Sequence, residues 1–128
     1  MKVLLDSGIW WRSANKLPLK KPLADFLNND VTEWWLSPLS VCEMVYKVEH
    51  KKLSPPPIEN WLDEMLRGYQ MAPLSLEAGR AAGSWKWCHG DPIDRMLAAT
   101  ALTEGLTLIH TDKVLKALAG FPQIYFPA

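Results

Sequence analysis

The fold is decided by one stretch, which begins His89-Gly-Asp-Pro-Ile-Asp-Arg95 and ends Leu106-Thr-Leu-Ile-His-Thr-Asp112. Asp91 is a good N-cap, and the proline after it suits the first helical position, where a missing N–H costs little. A glycine ends the helix, and the apolar run behind it predicts a short buried strand. Asp94 is therefore expected in the first turn of a helix and Asp112 just beyond a strand. In an open parallel sheet both places lie at the edge where such folds bind ligands.

The composition predicts a single domain over residues 1–128, long enough to bury a sizeable core. A hydrophobic content of 48% excludes a largely disordered chain. Basic and acidic residues number 14 each, so nucleic-acid binding requires a local basic patch. Two cysteines are too few for a disulfide framework, and the sequence has no recognisable signal peptide or membrane span. We therefore expect a cytoplasmic protein that has no membrane partner.

Short apolar segments alternate with amphipathic ones along the rest of the chain. Strands are expected at 2–5, 33–36, 71–74, 106–109 and 124–126. Helices are expected near 9–11, 23–29, 40–51, 58–67, 75–82, 92–104 and 113–119. This alternation predicts an α/β fold, a three-layer α/β/α sandwich with a four- or five-stranded, mainly parallel sheet.

Four carboxylates are expected at one edge of that sheet. Asp6 and Asp112 follow strands, whereas Asp94 and Glu43 lie in the first turns of helices. Ser40-Val-Cys-Glu43 fits a capping box with Ser40 at the N-cap. Each acid alone is explained as a cap, a dipole partner or a turn residue, but four together raise each other's pKa unless a cation joins them. Hard oxygen ligands without a His or Cys set favour Mg²⁺ or Mn²⁺ over zinc.

The acids lie in four segments that also carry a family resemblance: Val3-Leu-Leu-Asp6-Ser, Ser40-Val-Cys-Glu43, His89-Gly-Asp-Pro-Ile-Asp94-Arg-Met-Leu-Ala-Ala and Leu106-Thr-Leu-Ile-His-Thr-Asp112. In order and spacing they resemble the PIN-domain ribonucleases, most closely the VapC toxins of bacterial and archaeal toxin–antitoxin pairs. The Asp-Pro-hydrophobic-Asp-Arg block is the most specific part. Ile93 replaces the family's usual Phe, and Gly90 replaces a usual Arg, which removes a phosphate contact.

The resemblance implies a PIN fold over essentially the whole chain, dependence on Mg²⁺ or Mn²⁺, and endonucleolytic cleavage of RNA. It places Asp6, Glu43, Asp94 and Asp112 on the family's acidic quartet. Asp6 and Asp94 are the expected direct metal ligands, and Glu43 and Asp112 complete the site directly or through water. The expected reaction is hydrolysis of a phosphodiester by metal-activated water. Three further residues are expected to orient a carboxylate or a water, or to contact substrate: Ser7, Thr111 and Arg95.

His89 follows Cys88, and such a pair suggests a metal ligand or a nucleophilic dyad. Neighbours in sequence point in different directions, and no other His or Cys is placed to complete a site. A loop histidine that contacts RNA or backbone stays open.

The seven tryptophans are many for this length. Trp34 and Trp61 are expected in or beside the core. The others that we considered are core or interface residues, and both interpretations stay open: Trp10, Trp11, Trp85 and Trp87.

Three functions are compatible with these motifs. The first is a toxin ribonuclease, expected to be a homodimer, that a VapB-like antitoxin holds silent. The second is a PIN nuclease of RNA maturation or decay without an antitoxin. The third is a non-catalytic interaction module, against which the intact quartet argues. For the toxin, we expect the antitoxin to lay apolar residues along the helices near Trp10-Trp11 and along the Cys42–Val48 face. One Arg or Lys should reach towards Asp6, Glu43 and Asp94.

Overall fold

A five-stranded parallel sheet forms the middle layer of the structure, a computed structural model that describes residues 1–128. Its strands are β1 (Lys2–Leu5), β2 (Glu33–Leu36), β3 (Tyr69–Met71), β4 (Thr107–His110) and β5 (Gln123–Tyr125). They lie in the order β3-β2-β1-β4-β5, and every neighbouring pair is parallel. The predicted α/β class is confirmed, with five strands.

Seven helices connect and cover the strands: α1 (Ser7–Ala14), α2 (Lys21–Asn29), α3 (Pro38–Glu49), α4 (Trp61–Leu66), α5 (Leu76–Ser84), α6 (Pro92–Glu104) and α7 (Lys113–Lys116). None of them combines the length and the apolar character that a membrane-crossing helix requires.

The central strand β1 is buried on both faces, as expected for a parallel sheet covered by helices. Val3, Leu4 and Leu5 are all fully buried. Because successive side chains of a strand point to opposite faces, Val3 and Leu5 pack in one apolar cluster and Leu4 in another. The first cluster includes α1 and α3 residues, and the second includes Leu97 of α6. These clusters are the two interfaces of a three-layer sandwich.

Two of the tryptophans left open by the sequence belong to the core. Trp10 is fully buried, and its indole Nε1 donates a hydrogen bond to the carbonyl oxygen of Met65 at 2.9 Å. Trp11 is 8% exposed and packs edge-on against Trp61, with 6.1 Å between ring centroids. Because α1 turns both rings inward, an antitoxin cannot dock directly on them, and docking along the helices near Trp10-Trp11 stays a prediction.

Helix α6 begins and ends where its sequence predicts. The Asp91 carboxylate accepts hydrogen bonds from the backbone N–H groups of Ile93 and Asp94, at 2.9 and 3.4 Å. Gly105 follows the helix in the left-handed conformation, with φ of 68°, which glycine adopts at no steric cost. Asp94 is thereby fixed in the first turn, at the carboxyl edge of the sheet.

Helix α3 begins earlier than its sequence predicts. The N-cap is Ser37, whose hydroxyl oxygen accepts from the N–H of Leu39 at 3.1 Å, and Pro38 is the first helical residue. A residue before proline favours extended backbone, and Ser37 has it. The predicted capping box of Ser40 and Glu43 is therefore wrong: Ser40 is buried within the first turn. This leaves Glu43 free of any capping role.

Strand β3 also differs from its predicted position. It spans Tyr69–Met71 and pairs with β2 from Trp34↔Tyr69 to Leu36↔Met71, whereas we predicted a strand over 71–74. That apolar run contains Pro73, which has no N–H to donate to a ladder. The chain therefore leaves the sheet one residue after Met71.

Candidate metal centre

The register between β1 and β4 brings Asp6 and Asp112, the first and last of the four predicted acids, to the same edge of the sheet. Leu5 lies opposite Ile109, and the backbone N–H of Asp6 donates to the carbonyl oxygen of Ile109 at 3.1 Å. Asp6 therefore leaves β1 beside the point where β4 continues into Thr111 and Asp112. Two carboxylates from distant parts of the sequence reach the same edge of the sheet.

The Asp6 carboxylate is held by backbone donors on both sides. Its Oδ1 accepts from the N–H of Ile9 at 2.8 Å and so caps α1, and the N–H of Thr111 also donates to the carboxylate. Burial raises the pKa of Asp6 above the ordinary 3.8, these two backbone bonds lower it, and the negative charge of Glu43 raises it further. The Asp6 charge is thus fixed in position but poorly compensated.

Glu43 projects from α3 towards α1. Its Oε2 accepts from the hydroxyl of Ser7 at 3.0 Å and from Nζ of Lys47 at 3.1 Å. Ser7 therefore contacts one of the predicted acids, as expected of a residue that orients a carboxylate. Lys47 was not predicted at the site, although its spacing of four residues from Glu43 is the usual one for a helical ion pair.

Asp94 lies between a histidine and a second aspartate. Nε2 of His89 is 2.8 Å from Oδ2 of Asp94, and one donor atom each from His89, Asp94 and Asp112 lie within 4.8 Å of one another. Burial raises the pKa of Asp94, the hydrogen bond from His89 lowers it, and the charges of Asp91 and Asp112 raise it. His89 was not predicted as a site residue. Its contact with Asp94 spans a loop and follows no helical period, so the sequence gives little signal for it.

Asp112 caps α7 and is fixed by a buried histidine. Its Oδ1 accepts from the N–H of Val114 at 2.7 Å, and its own N–H donates to Nδ1 of His110 at 3.1 Å. The other ring nitrogen of His110 lies 2.7 Å from Oε1 of Gln123. Since Nδ1 accepts, the Nε2–H group donates to Gln123, and both ring nitrogens of this fully buried residue are satisfied. The only sequence signal for this role was a polar residue at the end of an apolar strand.

Arg95 and Thr111, both predicted as supporting residues, take backbone roles. The guanidinium of Arg95 donates from Nε to the carbonyl of Ala82, from Nη1 to that of His89, and from Nη2 to that of Trp85. It therefore ties the loop before α6 to the end of α5. Thr111 contacts Asp6 through its backbone N–H.

The residues at this edge fit a divalent cation. The structure brings Asp94 and Asp112 together with His89, while Asp6 and Glu43 fall outside that group of donors. Two carboxylates have raised pKa values, Asp6 and Asp94, and in both cases another carboxylate contributes to the rise. A bound cation reverses such a shift, because it favours the charged form of each acid.

Comparison with known proteins adds a family and a fold. The sequence profile of the PIN domain matches residues 3–121. VapBC2 from Rickettsia felis, solved bound to a DNA fragment from the promoter of the pair, superposes with a TM-score of 0.71 at 18% identity, covering 98% of this chain and 99% of that one. DNA-bound VapBC from Salmonella typhimurium gives a TM-score of 0.67 at 15% identity, with 98% of both chains covered. No curated protein sequence matches this chain. At these identities the two structures establish a shared three-layer fold.

Proposed function

Because the chain belongs to the PIN domain family, we propose that it is a metal-dependent endoribonuclease and the toxin of a toxin–antitoxin pair. The observation that supports the nuclease is the presence of two interacting pairs of acids at the carboxyl edge of the sheet, Asp6 with Glu43 and Asp94 with Asp112. Similarity to two VapBC structures supports the toxin.

Asp94 and Asp112 would hold an Mg²⁺ or Mn²⁺ ion, with Asp6 as a further direct ligand and Glu43 bound directly or through water. A divalent ion supplies activation of water and stabilisation of charge on a phosphoryl oxygen. The protein's own contribution is orientation. Asp6 and Asp112 each cap a helix through one carboxylate oxygen, so both are fixed before any ligand arrives.

The nuclease is tested on metal-free protein with a labelled single-stranded RNA and a DNA of the same sequence. Wild-type protein should cleave the RNA once Mn²⁺ or Mg²⁺ is added and should stop in chelator. Asp94→Asn should lose roughly 100-fold or more in rate, because it removes a charged ligand from the centre.

The matched control is Asp91→Asn, three residues away on the same helix. Asparagine caps a helix about as well as aspartate, so this variant should cleave within about twofold of wild type. RNA cleavage that survives Asp94→Asn in full contradicts the proposed mechanism.

The antitoxin is proposed to cover α3 and to place a cation among the acids. The Cys42–Val48 face remains a candidate, since Tyr46 on α3 is 53% exposed while the α1 tryptophans are buried. Arg suits the cleft because its fork pairs with carboxylates bidentately. The test is to copurify the pair, to replace each basic residue of the partner's tail by Ala in turn, and to measure how far each variant inhibits cleavage. Full inhibition by every such variant contradicts occlusion by a cation.

Growth assays separate the toxin from a PIN nuclease of RNA maturation. Induction of the wild-type chain alone should arrest growth, and coexpression of the partner should restore it. Asp94→Asn should not arrest growth. We also propose that the toxin is a homodimer. Analytical ultracentrifugation of the chain without its partner tests this, and the mass of a dimer is expected.

A further inference from the structure

We propose that His89 is a nitrogen ligand of the metal centre, so that the centre holds a first-row transition ion in preference to Mg²⁺. This inference rests on the proposed function, since it concerns the same edge of the sheet. It adds an imidazole to a site for which we expected only carboxylate ligands, and it changes which ion the site selects.

One pair of the three donors has the spacing of neighbouring ligands around one ion, and the third donor lies close to both. They come from three places: the loop before α6, the first turn of α6, and the residue that follows β4 and caps α7. Cis ligands of an octahedral ion with bonds of about 2.1 Å lie about 3.0 Å apart, and trans ligands about 4.2 Å. The separation of 2.8 Å between His89 Nε2 and Asp94 Oδ2 is close to the cis value, and all three donors lie within 4.8 Å. Small adjustments of the side chains are enough to admit an ion.

The backbone of His89 is held in place by Arg95, and its imidazole contacts Asp94. Arg95 Nη1 donates to the His89 carbonyl at 2.8 Å, and Arg95 Nε donates to the carbonyl of Ala82 on α5 at 2.8 Å. The guanidinium also lies 5.4 Å from the ring centroid of Trp87. The side chain of His89 is 21% exposed, so solvent reaches one side of it. A ligand anchored in this way loses little conformational freedom on binding.

His89 is the one histidine of three that is placed for this role. His110 is fully buried, with Nδ1 accepting from Asp112 and Nε2 donating to Gln123. His50 is exposed at the end of α3, where it stacks on Tyr46. Only the His89 ring contacts an acid of the candidate centre.

The chemistry of imidazole gives this placement a measurable consequence. Carboxylate oxygens suit Mg²⁺ and Mn²⁺, whereas imidazole suits the later transition ions, and affinity at nitrogen sites rises from Mn²⁺ to Co²⁺ and Ni²⁺. If His89 binds the ion, its removal weakens Co²⁺ binding far more than Mg²⁺ binding. If His89 only orients Asp94 by hydrogen bonding, its removal weakens every ion by a similar factor.

The experiment is titration calorimetry of metal-free protein without a histidine tag, using Mg²⁺, Mn²⁺ and Co²⁺ in turn. The test variant is His89→Gln, which keeps a hydrogen-bond donor towards Asp94 and loses the imidazole. The control is His50→Gln. We expect His89→Gln to lose roughly tenfold or more in Co²⁺ affinity and less than about threefold in Mg²⁺ affinity. His50→Gln should leave both affinities within about twofold of wild type.

A second measurement does not depend on how well the variant folds. Pulsed electron paramagnetic resonance of Mn²⁺ bound to wild-type protein should detect coupling to an imidazole nitrogen, and ¹⁵N-labelled histidine should change that coupling. Absence of any nitrogen coupling overturns the inference, as does an equal loss of affinity for all three ions in His89→Gln. Wild-type protein that binds none of the ions overturns the proposed function as well, whereas metal-dependent RNA cleavage without nitrogen coupling leaves that function standing.

Discussion

At the scale of single residues, the Asp6 carboxylate caps a helix, but its buried charge lowers the stability of the fold. Its carboxylate caps α1 and accepts from Thr111, yet burial raises its pKa. Because the folded-state pKa lies above the 3.8 of the unfolded chain, the folded protein holds the proton more tightly. Stability therefore falls as pH rises through the window between these two values.

Asp6→Asn separates the two roles of this residue. Asparagine keeps the capping bond to Ile9 through its one amide oxygen and removes a buried charge whose cost outweighs the bonds that it accepts, so the metal-free variant should melt above wild type at neutral pH. The two melting temperatures should converge below about pH 3.8, where both side chains are neutral. Thermal melts in chelator across this pH range measure the difference. A variant that melts below wild type at neutral pH contradicts the prediction.

His110 shows how a buried polar residue fixes an acid from behind. Replacement by Leu leaves the N–H of Asp112 and the carbonyl of the Gln123 side chain without their partner. The expected loss is about 2–3 kcal/mol in the free energy of unfolding, since each buried group left unpaired costs about 1–3 kcal/mol. Urea denaturation measures it, with exposed His50→Leu as the control, for which a change within about 0.5 kcal/mol is expected. Equal stability of the two variants contradicts the role assigned to His110.

At the scale of elements, the loop between α5 and α6 depends on Arg95. One guanidinium binds the carbonyls of Ala82, Trp85 and His89, and the indoles of Trp85 and Trp87 stack beside it with 4.3 Å between centroids. Lysine carries a single nitrogen and cannot reproduce this three-way contact.

Arg95→Lys should therefore loosen the loop while α6 stays folded. We expect a loss of about 2 kcal/mol in the free energy of unfolding, because hydrogen bonds to a charged group contribute about 1.5–3 kcal/mol each and a lysine keeps part of them. The stacked indoles give a coupled circular-dichroism band that should weaken. Arg67→Lys is the control, since Arg67 is exposed and its side chain forms an ion pair with Glu64 at the surface. An unchanged indole band in Arg95→Lys contradicts the anchoring role.

At the scale of the whole molecule, the proposed metal centre predicts that a bound ion stabilises the fold against unfolding. An ion present at a hundred times its dissociation constant adds about 2.7 kcal/mol, which raises the melting temperature of a chain of this size by roughly 10 °C. Asp94→Asn should blunt this rise. Melting curves with and without Mn²⁺ test it, and an unchanged curve at millimolar metal counts against the centre.

Local chemistry made most of the fold predictable. Asp91 begins α6 as its N-cap and Gly105 ends it, both as predicted. Each signal lies within one turn of the helix end that it marks. The start of α3 was missed because two serines compete there, and the proline after Ser37 decides between them.

The parts of the site that the sequence did not predict are contacts that follow neither the helix nor the strand period. His89 reaches Asp94 across a loop, and His110 reaches Gln123 in another strand, so neither contact leaves a periodic signal. Burial of Trp10 likewise depends on Met65, which lies far along the chain in α4.

The central place of β1 sets the time at which the acidic edge forms during synthesis. In the pairing of β1 with β4, Val3 lies opposite Thr107 and Leu5 opposite Ile109. The first strand to be synthesised therefore pairs with one of the last. Asp6 and Asp112 cannot meet until residues 107–112 have emerged. An unfinished chain that ends before β4 therefore has no assembled acidic edge.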